Sequence, residues 1–120
     1  MTATPAELML RNLMDVFNER DDDRRAKAIA EVYLDDVVWH EPDCVVEGRD
    51  ALAKRAMELQ AEFPGFAFEP AGPASANDDL GHLAFRFSSA DGSTVLTGMD
   101  IGRCRNGVIV ELYTFVDGMG

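Results

Sequence analysis

The sequence predicts an α+β domain in which three helices come first and pack on one face of a strongly curved antiparallel sheet. Two observations support this class. Apolar residues recur with helical spacing in the first half of the chain. After Gly65 the pattern changes to short alternating segments separated by turn residues. Helices followed by hairpins are typical of α+β domains, in which the helices cover one side of the sheet.

Length and composition fit one domain over residues 1–120. The chain has 120 residues, of which 47% are hydrophobic, and a chain of this size buries roughly two-thirds of its surface on folding. Its 11 basic and 22 acidic residues give a net charge of −11. Nucleic-acid binding relies on basic side chains, so we expect neither nucleic acid nor an anionic membrane as a partner.

Targeting and metal signals are lacking in the sequence. The N-terminus has no basic segment followed by an apolar one, and no apolar run is long enough to span a membrane, so a cytoplasmic location is expected. Cys44 and Cys104 show no metal-ligand spacing with His40 or His82. We therefore expect reduced thiols and no metal.

The first helix is predicted to begin at Pro5. Thr4 can cap it, and Glu7 lies where a capping box needs a carboxylate. A second helix follows the acidic run at residues 21–23, and a third extends from Gly48 towards residues 64–65. The expected buried stripe of the first helix consists of Leu10, Leu13, Met14 and Phe17.

The first strand is predicted over residues 37–41, before Pro42. Alternation places Trp39 and Glu41 on one face and His40 on the other, unless the strand boundary differs. Asp91-Gly92 and Asn106-Gly107 are typical of tight hairpins and predict an antiparallel meander. The later strands are expected over residues 66–69, 81–88, 94–104 and 108–116.

Alternation also predicts which strand residues face a cavity. The inward set consists of Leu83, Phe85, Phe87, Leu112, Thr114 and Val116. In the last strand, Ile109, Tyr113 and Phe115 make the opposite face apolar as well. A sheet apolar on both faces meets a core with one face and, often, a second copy with the other, so we expect a homodimer. A more enclosed core would explain the same pattern.

Two acidic residues are candidates for chemistry. Glu41 shares its strand face with Trp39, and Asp100 lies mid-strand, where a carboxylate is costly to bury. If both face the cavity, desolvation would raise their pKa values and make one a base and the other an acid. Alternatively, Glu41 is a solvated strand-end residue and Asp100 pairs with an arginine or a backbone donor.

Four local segments resemble the SnoaL-like branch of the nuclear transport factor 2 superfamily, which also contains ketosteroid isomerases, polyketide cyclases and limonene epoxide hydrolase. They lie at residues 34–42, 47–52, 99–104 and 106–111, and the resemblance extends from Leu8 to Asp117. It implies a cone-shaped (NTF2-like) fold with helices on the concave face of the sheet. The fold hosts unrelated activities and binding-only members.

Ketosteroid isomerases give the closest comparison of residues. The resemblance implies that Glu41, just before a proline, is the base and that a protonated Asp100 stabilises the enolate. Phe17 and Trp39 would be apolar walls. This chain lacks the isomerases' tyrosine on the first helix, because its first tyrosine is Tyr33. The acid that the epoxide hydrolase needs on the last strand is also missing.

The resemblance therefore implies a cofactor-free enzyme of isomerase or cyclase type. Its substrate would be a small apolar carbonyl compound, either cyclic or polyketide-like, that loses a proton next to the carbonyl group. The alternative is a non-catalytic dimeric module that binds a small apolar ligand.

Overall fold

A computed structural model describes residues 2–118, and within that range the chain forms three helices and seven strands. Residues 1, 119 and 120 of the predicted domain lie outside the described residues. None of these helices is long and apolar enough to cross a membrane. The elements are α1 (Pro5–Arg11), which continues as a π-helical segment (Asn12–Phe17), α2 (Asp22–Val32), β1 (Tyr33–His40), β2 (Val45–Glu47), α3 (Arg49–Glu62), β3 (Ala67–Pro70), β4 (Ser75–Asn77), β5 (Leu80–Ser88), β6 (Thr94–Arg105) and β7 (Val108–Val116).

The strands form one curved, open sheet with the order β2-β1-β7-β6-β5-β3, and β4 also pairs with β5. The predicted antiparallel meander of β5, β6 and β7 is confirmed. The sheet as a whole is mixed, because β1 pairs with β7 in parallel. Strands β1 and β7 are far apart in the chain and are not joined by a hairpin. The sequence therefore contains no turn motif from which their parallel pairing could be predicted. The α+β cone expected from the sequence is otherwise confirmed.

The buried face of the first helix differs from the predicted stripe. Leu13 and Phe17 are buried, but Leu10 and Met14 are 40% and 39% exposed. Hydrogen bonding becomes π-helical from Asn12, and each π-type bond spans five residues rather than four. Asn12 lies three and four residues after the buried Met9 and Leu8, so α-helical spacing places this polar side chain on the same face, where it is fully buried.

Helix α1 lies directly on the sheet at the end of β5 and β6 where Gly81 pairs with Gly102. A Cβ atom at Gly81 would lie 2.6 Å from Met9 Cγ, and one at Gly102 would lie 2.8 Å from Met9 Sδ. Two facing glycines therefore let the helix approach the strands closely. The space between helices and sheet is filled at this end, so a cavity can form only further along the strands.

The turn between β6 and β7 has the predicted geometry. Asn106 and Gly107 both have positive φ angles, 53° and 80°, as a two-residue hairpin turn with the twist of the sheet requires. Strands β2 and β4 were not predicted. Each is three residues long and mostly exposed, so neither contains enough alternation to give a periodic signal.

Candidate active site

A cavity of about 230 Å³ lies between the helices and the sheet. In the part of the chain that the structure describes, eight of the ten predicted site residues line it. They are Phe17, Trp39, Glu41, Phe85, Phe87, Asp100, Thr114 and Val116. The register explains this arrangement, because Asp100 pairs with Thr114, and Phe85 and Val116 flank Gly98 in the next row of the sheet.

Leu83 and Leu112 do not line the cavity, contrary to the expectation from alternation. Leu83 is 1% exposed and Leu112 is completely buried, and both belong to the hydrophobic core. Leu112 pairs with Gly102, the residue on which Met9 rests. Alternation predicted the correct face of the sheet but could not predict how far helix α1 extends over it.

Asp100 is buried beside the cavity and accepts hydrogen bonds on both carboxyl oxygens. Asn12 Nδ2 donates to Oδ2 over 3.0 Å, and Thr114 Oγ1 donates to Oδ1 over 2.7 Å. Trp39 Nε1 in turn donates to Thr114 Oγ1 over 2.9 Å. The Thr114 hydroxyl accepts one hydrogen bond and donates one, so its proton is directed towards Asp100.

Tyr33 fixes the orientation of the Asn12 amide. The Tyr33 hydroxyl donates to Asn12 Oδ1, and both side chains are completely buried. With its oxygen engaged, Asn12 turns its NH₂ group towards Asp100. Hydrogen-bond donors on both sides stabilise a carboxylate more than a neutral carboxyl group.

Burial has the largest influence on the pKa of Asp100. Desolvation raises the pKa of Asp100 to about 6, although the hydrogen bonds from Thr114 and Asn12 act in the opposite direction. Desolvation, together with the charge of Asp100, also raises the pKa of Tyr33 well above its ordinary value. Asp100 is therefore mostly ionised at neutral pH. Its pKa is close enough to neutral pH for the carboxylate to take up a proton readily.

Glu41 lies in the same cavity but has different partners. Arg55 Nε donates to both of its carboxyl oxygens, over 3.1 and 3.3 Å, and the Cys44 thiol donates to Oε2 over 3.2 Å. The Glu41 side chain is 7% exposed, compared with 33% for Arg55. Glu41 is therefore a shielded carboxylate in an ion pair rather than a solvated residue at the strand end.

His40 faces away from the cavity, as strand parity predicted. Its Nε2 lies 2.8 Å from Glu111 Oε2, and its ring stacks on Tyr113 with centroids 4.3 Å apart. Strand β1 extends to His40, so its alternation continues to that position. His40 cannot act on a molecule held beside Asp100.

Arg20 binds the C-terminal end of α3 and the segment that follows it, beside the cavity. Its guanidinium donates to the carbonyl oxygens of Gln60, Phe63 and Phe66 over 2.7 to 3.1 Å. The segment supplies aromatic rings, and Phe63 and Phe66 both lie about 5.3 to 5.4 Å from Phe87, centroid to centroid. The cavity is therefore apolar on most sides and charged at a few positions.

Sequence reasoning missed Asn12 and Arg55. Asn12 is a polar residue within an apolar helical pattern, a signal that would have indicated a buried role if the correct face of the helix had been identified. Arg55 lies in α3 among other charged residues, and nothing in its surroundings distinguishes it. Phe63, Phe66 and Phe68 also line the cavity, because the chain turns back after α3.

The fold and the site define a class of protein: an α+β cone that encloses an apolar cavity with a buried carboxylate. The family model described as SnoaL-like domain matches residues 10–112. The chain belongs to the SnoaL-like domain family, which confirms the predicted resemblance. A search of curated proteins finds no match to the chain.

Solved structures support the same assignment. A SnoaL-like family member from Agrobacterium tumefaciens superposes with a TM-score of 0.86 at 25% identity, covering 92% of this chain and 95% of that chain. A SnoaL-like protein from Jannaschia sp. CCS1 has a TM-score of 0.79 at 14% identity, with coverages of 94% and 85%. A protein of ketosteroid isomerase-like fold from Catenulispora acidiphila, solved with trimethylamine, has a TM-score of 0.73 at 10% identity, with coverages of 94% and 86%. The last two similarities concern the fold alone.

Proposed function

We propose that this protein is a small-molecule enzyme that moves a proton next to a carbonyl group, in a reaction of the isomerase or cyclase type. The observation that supports this most directly is Asp100, a buried carboxyl group with a raised pKa that accepts two hydrogen bonds beside an aromatic cavity. Perturbed carboxyl groups in clefts are concentrated at catalytic sites. The Agrobacterium relative is provisionally named an isomerase and the Jannaschia protein a polyketide cyclase.

The contacts favour Asp100 as the proton acceptor. The family resemblance implied the opposite assignment, with Glu41 as the base and a neutral Asp100. Asp100 has a pKa of about 6 and two donors directed at its oxygens, so its reactive form at pH 7 is the carboxylate. Glu41 instead neutralises Arg55. We assign Glu41 the role of positioning residue for that arginine.

The proton transfer uses Thr114 as well as Asp100. Asp100 removes a proton from the carbon next to the carbonyl group, the C–H electron pair forms the enolate double bond, and the carbonyl π pair moves to oxygen. Once Asp100 is protonated, the Thr114 hydroxyl is free to rotate and donate to the enolate oxygen. In a substrate with a carbon–carbon double bond next to the deprotonated carbon, the enolate is a dienolate. Asp100 then returns its proton to the far carbon of the dienolate, the electron pair on oxygen re-forms the carbonyl group, and the carbon–carbon double bond is isomerised without a cofactor.

The cavity limits the size of the substrate. An apolar protein cavity of about 150 Å³ holds one benzene molecule, so the 230 Å³ cavity here fits a compound of one or two rings. Seven aromatic side chains of the described residues line it, which favours a flat or cyclic body. They are Phe17, Trp39, Phe63, Phe66, Phe68, Phe85 and Phe87.

Exchange of carbon-bound hydrogen tests the proposal without knowledge of the natural substrate. The probe is 2-indanone, a neutral two-ring ketone, incubated in D₂O and followed by NMR. We expect the protein to accelerate exchange next to the carbonyl group, with a rate that rises through about pH 6 as Asp100 ionises. Asp100→Asn should reduce the catalysed rate by about 100-fold or more, the scale of a lost general base.

Glu41→Gln provides the matched comparison. If Asp100 is the base, Glu41→Gln should retain most of the exchange activity. Loss of activity in Glu41→Gln with retention in Asp100→Asn would restore the roles implied by the family resemblance. Binding of 2-indanone without catalysed exchange in the unaltered protein would favour a ligand-binding module and contradict the enzyme proposal.

We further propose that the outer face of the sheet binds a second copy of the chain. Phe115 is 51% exposed on this face, next to Met99 in the register, and Ile101 and Tyr113 form the adjacent pair. Ile109, predicted on the same face, is completely buried in the core instead, because the register of β6 and β7 shifts between Arg103 and Cys104. An apolar strip on a sheet face is characteristic of a subunit interface. Sedimentation of the unaltered protein should give a dimer, and Phe115→Asp should give a monomer. A monomeric unaltered protein would contradict the proposal.

A further inference from the structure

The cavity contains an arginine whose terminal nitrogens have no hydrogen-bond partner within residues 2–118. Arg55 lines the cavity from α3, and its Nε is engaged by Glu41. Among the residues that the structure describes, no side chain or carbonyl group accepts a hydrogen bond from Arg55 Nη1 or Nη2. Arg20, the other arginine of the described cavity lining, uses both of its terminal nitrogens to bind backbone carbonyl groups.

The two arginines therefore have different roles. Arg20 holds the protein chain in place, whereas Arg55 has a fixed orientation and a free edge. Glu41 binds the guanidinium at Nε and holds it against the cavity. The Nη1–Nη2 edge presents two parallel N–H groups, a spacing that matches the two oxygens of a carboxylate.

We propose that Arg55 binds a carboxylate group on the substrate, and that the natural substrate is a small cyclic carbonyl acid. This inference rests on the proposed function, because it adds an anchor to the substrate assigned there. Asp100 is 5% exposed and the Arg55 side chain is 33% exposed, so the two groups lie at different depths in the cavity. The carboxylate would bind on the solvent side while the carbonyl group approaches Asp100.

Charge limits the ligand to one negative group at this position. Glu41 and Asp43 also line the cavity, and the whole chain has a net charge of −11. A second negative group on the ligand would meet these carboxylates without a free cation to compensate. A monocarboxylate with an apolar ring body satisfies both the guanidinium and the aromatic walls.

The test compares 2-naphthoate with 2-naphthamide by titration calorimetry, because the two compounds share their shape and differ in charge. We expect the unaltered protein to bind naphthoate about tenfold more tightly, or better. Arg55→Gln should remove this preference while changing naphthamide affinity by less than about twofold. Arg55→Lys keeps the charge but loses the paired N–H groups, and it should give an intermediate preference.

Two further variants separate binding from side effects. Lys54→Gln removes one positive charge from an exposed neighbour on the same helix, and it should leave both affinities unchanged. The double variant Glu41→Gln/Arg55→Gln removes the ion pair as a unit, so no unpaired carboxylate remains, and it should also lack the preference. Equal binding of the two compounds by the unaltered protein would contradict the proposal that Arg55 binds a carboxylate. Equal losses of naphthoate affinity in Arg55→Gln and Lys54→Gln would contradict it as well.

The anchor and the proposed function can fail separately. The exchange of neutral 2-indanone does not use the Arg55 edge, and naphthoate binding does not require proton transfer. Catalysed exchange without a preference for naphthoate would contradict carboxylate binding by Arg55 and leave the enzyme proposal in place. An Arg55-dependent preference without catalysed exchange would remove the enzyme proposal and leave a binding site for small aromatic acids.

Discussion

Replacing Asp100 with asparagine removes a buried charge while nearly preserving the shape of the side chain. Asparagine can still accept from Asn12 through its oxygen and donate to the Thr114 hydroxyl, which is able to accept. The hydrogen-bond network can therefore adapt to the substitution. The main change is that the residue at position 100 no longer ionises.

The pH-dependent contribution of Asp100 to the free energy of unfolding follows from the pKa of its carboxyl group. Burial raises it from 3.8 to about 6, and one pKa unit corresponds to about 1.4 kcal/mol. Because the folded protein binds this proton more tightly than the unfolded chain does, the stability contribution of Asp100 is fully present below about pH 3.8 and is lost as the pH rises through about 6. The total loss is about 3 kcal/mol, of which about 2 kcal/mol falls between pH 4.5 and 7.5.

Urea unfolding of both proteins across this pH range measures the effect. The free energy of unfolding of Asp100→Asn minus that of the unaltered protein should increase by about 2 kcal/mol between pH 4.5 and 7.5. Asp36→Asn, at an exposed position on β1, controls for the loss of one negative charge. A difference for Asp100→Asn that stays constant with pH would refute the claim that burial perturbs this carboxyl group.

Three other substitutions test the surroundings of the site. Thr114→Val removes a hydrogen bond that lowers the pKa of Asp100, so the midpoint of the pH–rate profile for 2-indanone exchange should rise and the rate at pH 7 should fall. Tyr33→Phe leaves the buried Asn12 Oδ1 without its donor, and urea unfolding should show a loss of about 1 to 3 kcal/mol; an unchanged stability would contradict the network. Gly98→Ala would place a Cβ atom against a carbonyl oxygen of β7 and should lower the melting temperature, whereas Gly72→Ala, with no atom within 4 Å, should leave it nearly unchanged.

The order of elements was predictable because each depends on local chemistry. The Thr4–Glu7 capping box that began the first predicted helix is present in the structure. The Asn106-Gly107 turn and the alternation of β5 likewise need no information from distant residues. The same locality explains why Asp100 could be singled out, since a carboxylate in the middle of an apolar strand is unusual wherever the strand lies.

The remaining features depend on contacts between distant parts of the chain. The exposure of Leu10 depends on which face of α1 packs against the rest of the protein, and that face contains Leu8, Met9 and Asn12 instead. The exclusion of Leu112 from the cavity depends on Met9, about a hundred residues away. The roles that we propose for Glu41 and Asp100 depend on Arg55, because this residue of another element forms an ion pair with Glu41.

Asp100 is a buried carboxyl group that we expect to take up a proton close to neutral pH. Carboxyl ¹³C NMR of the protein labelled at aspartate, with Asp100→Asn used to assign the resonance, measures this directly. We expect the Asp100 signal to titrate with a midpoint near 6. A midpoint near 3.8, the ordinary value for an aspartate, would contradict it.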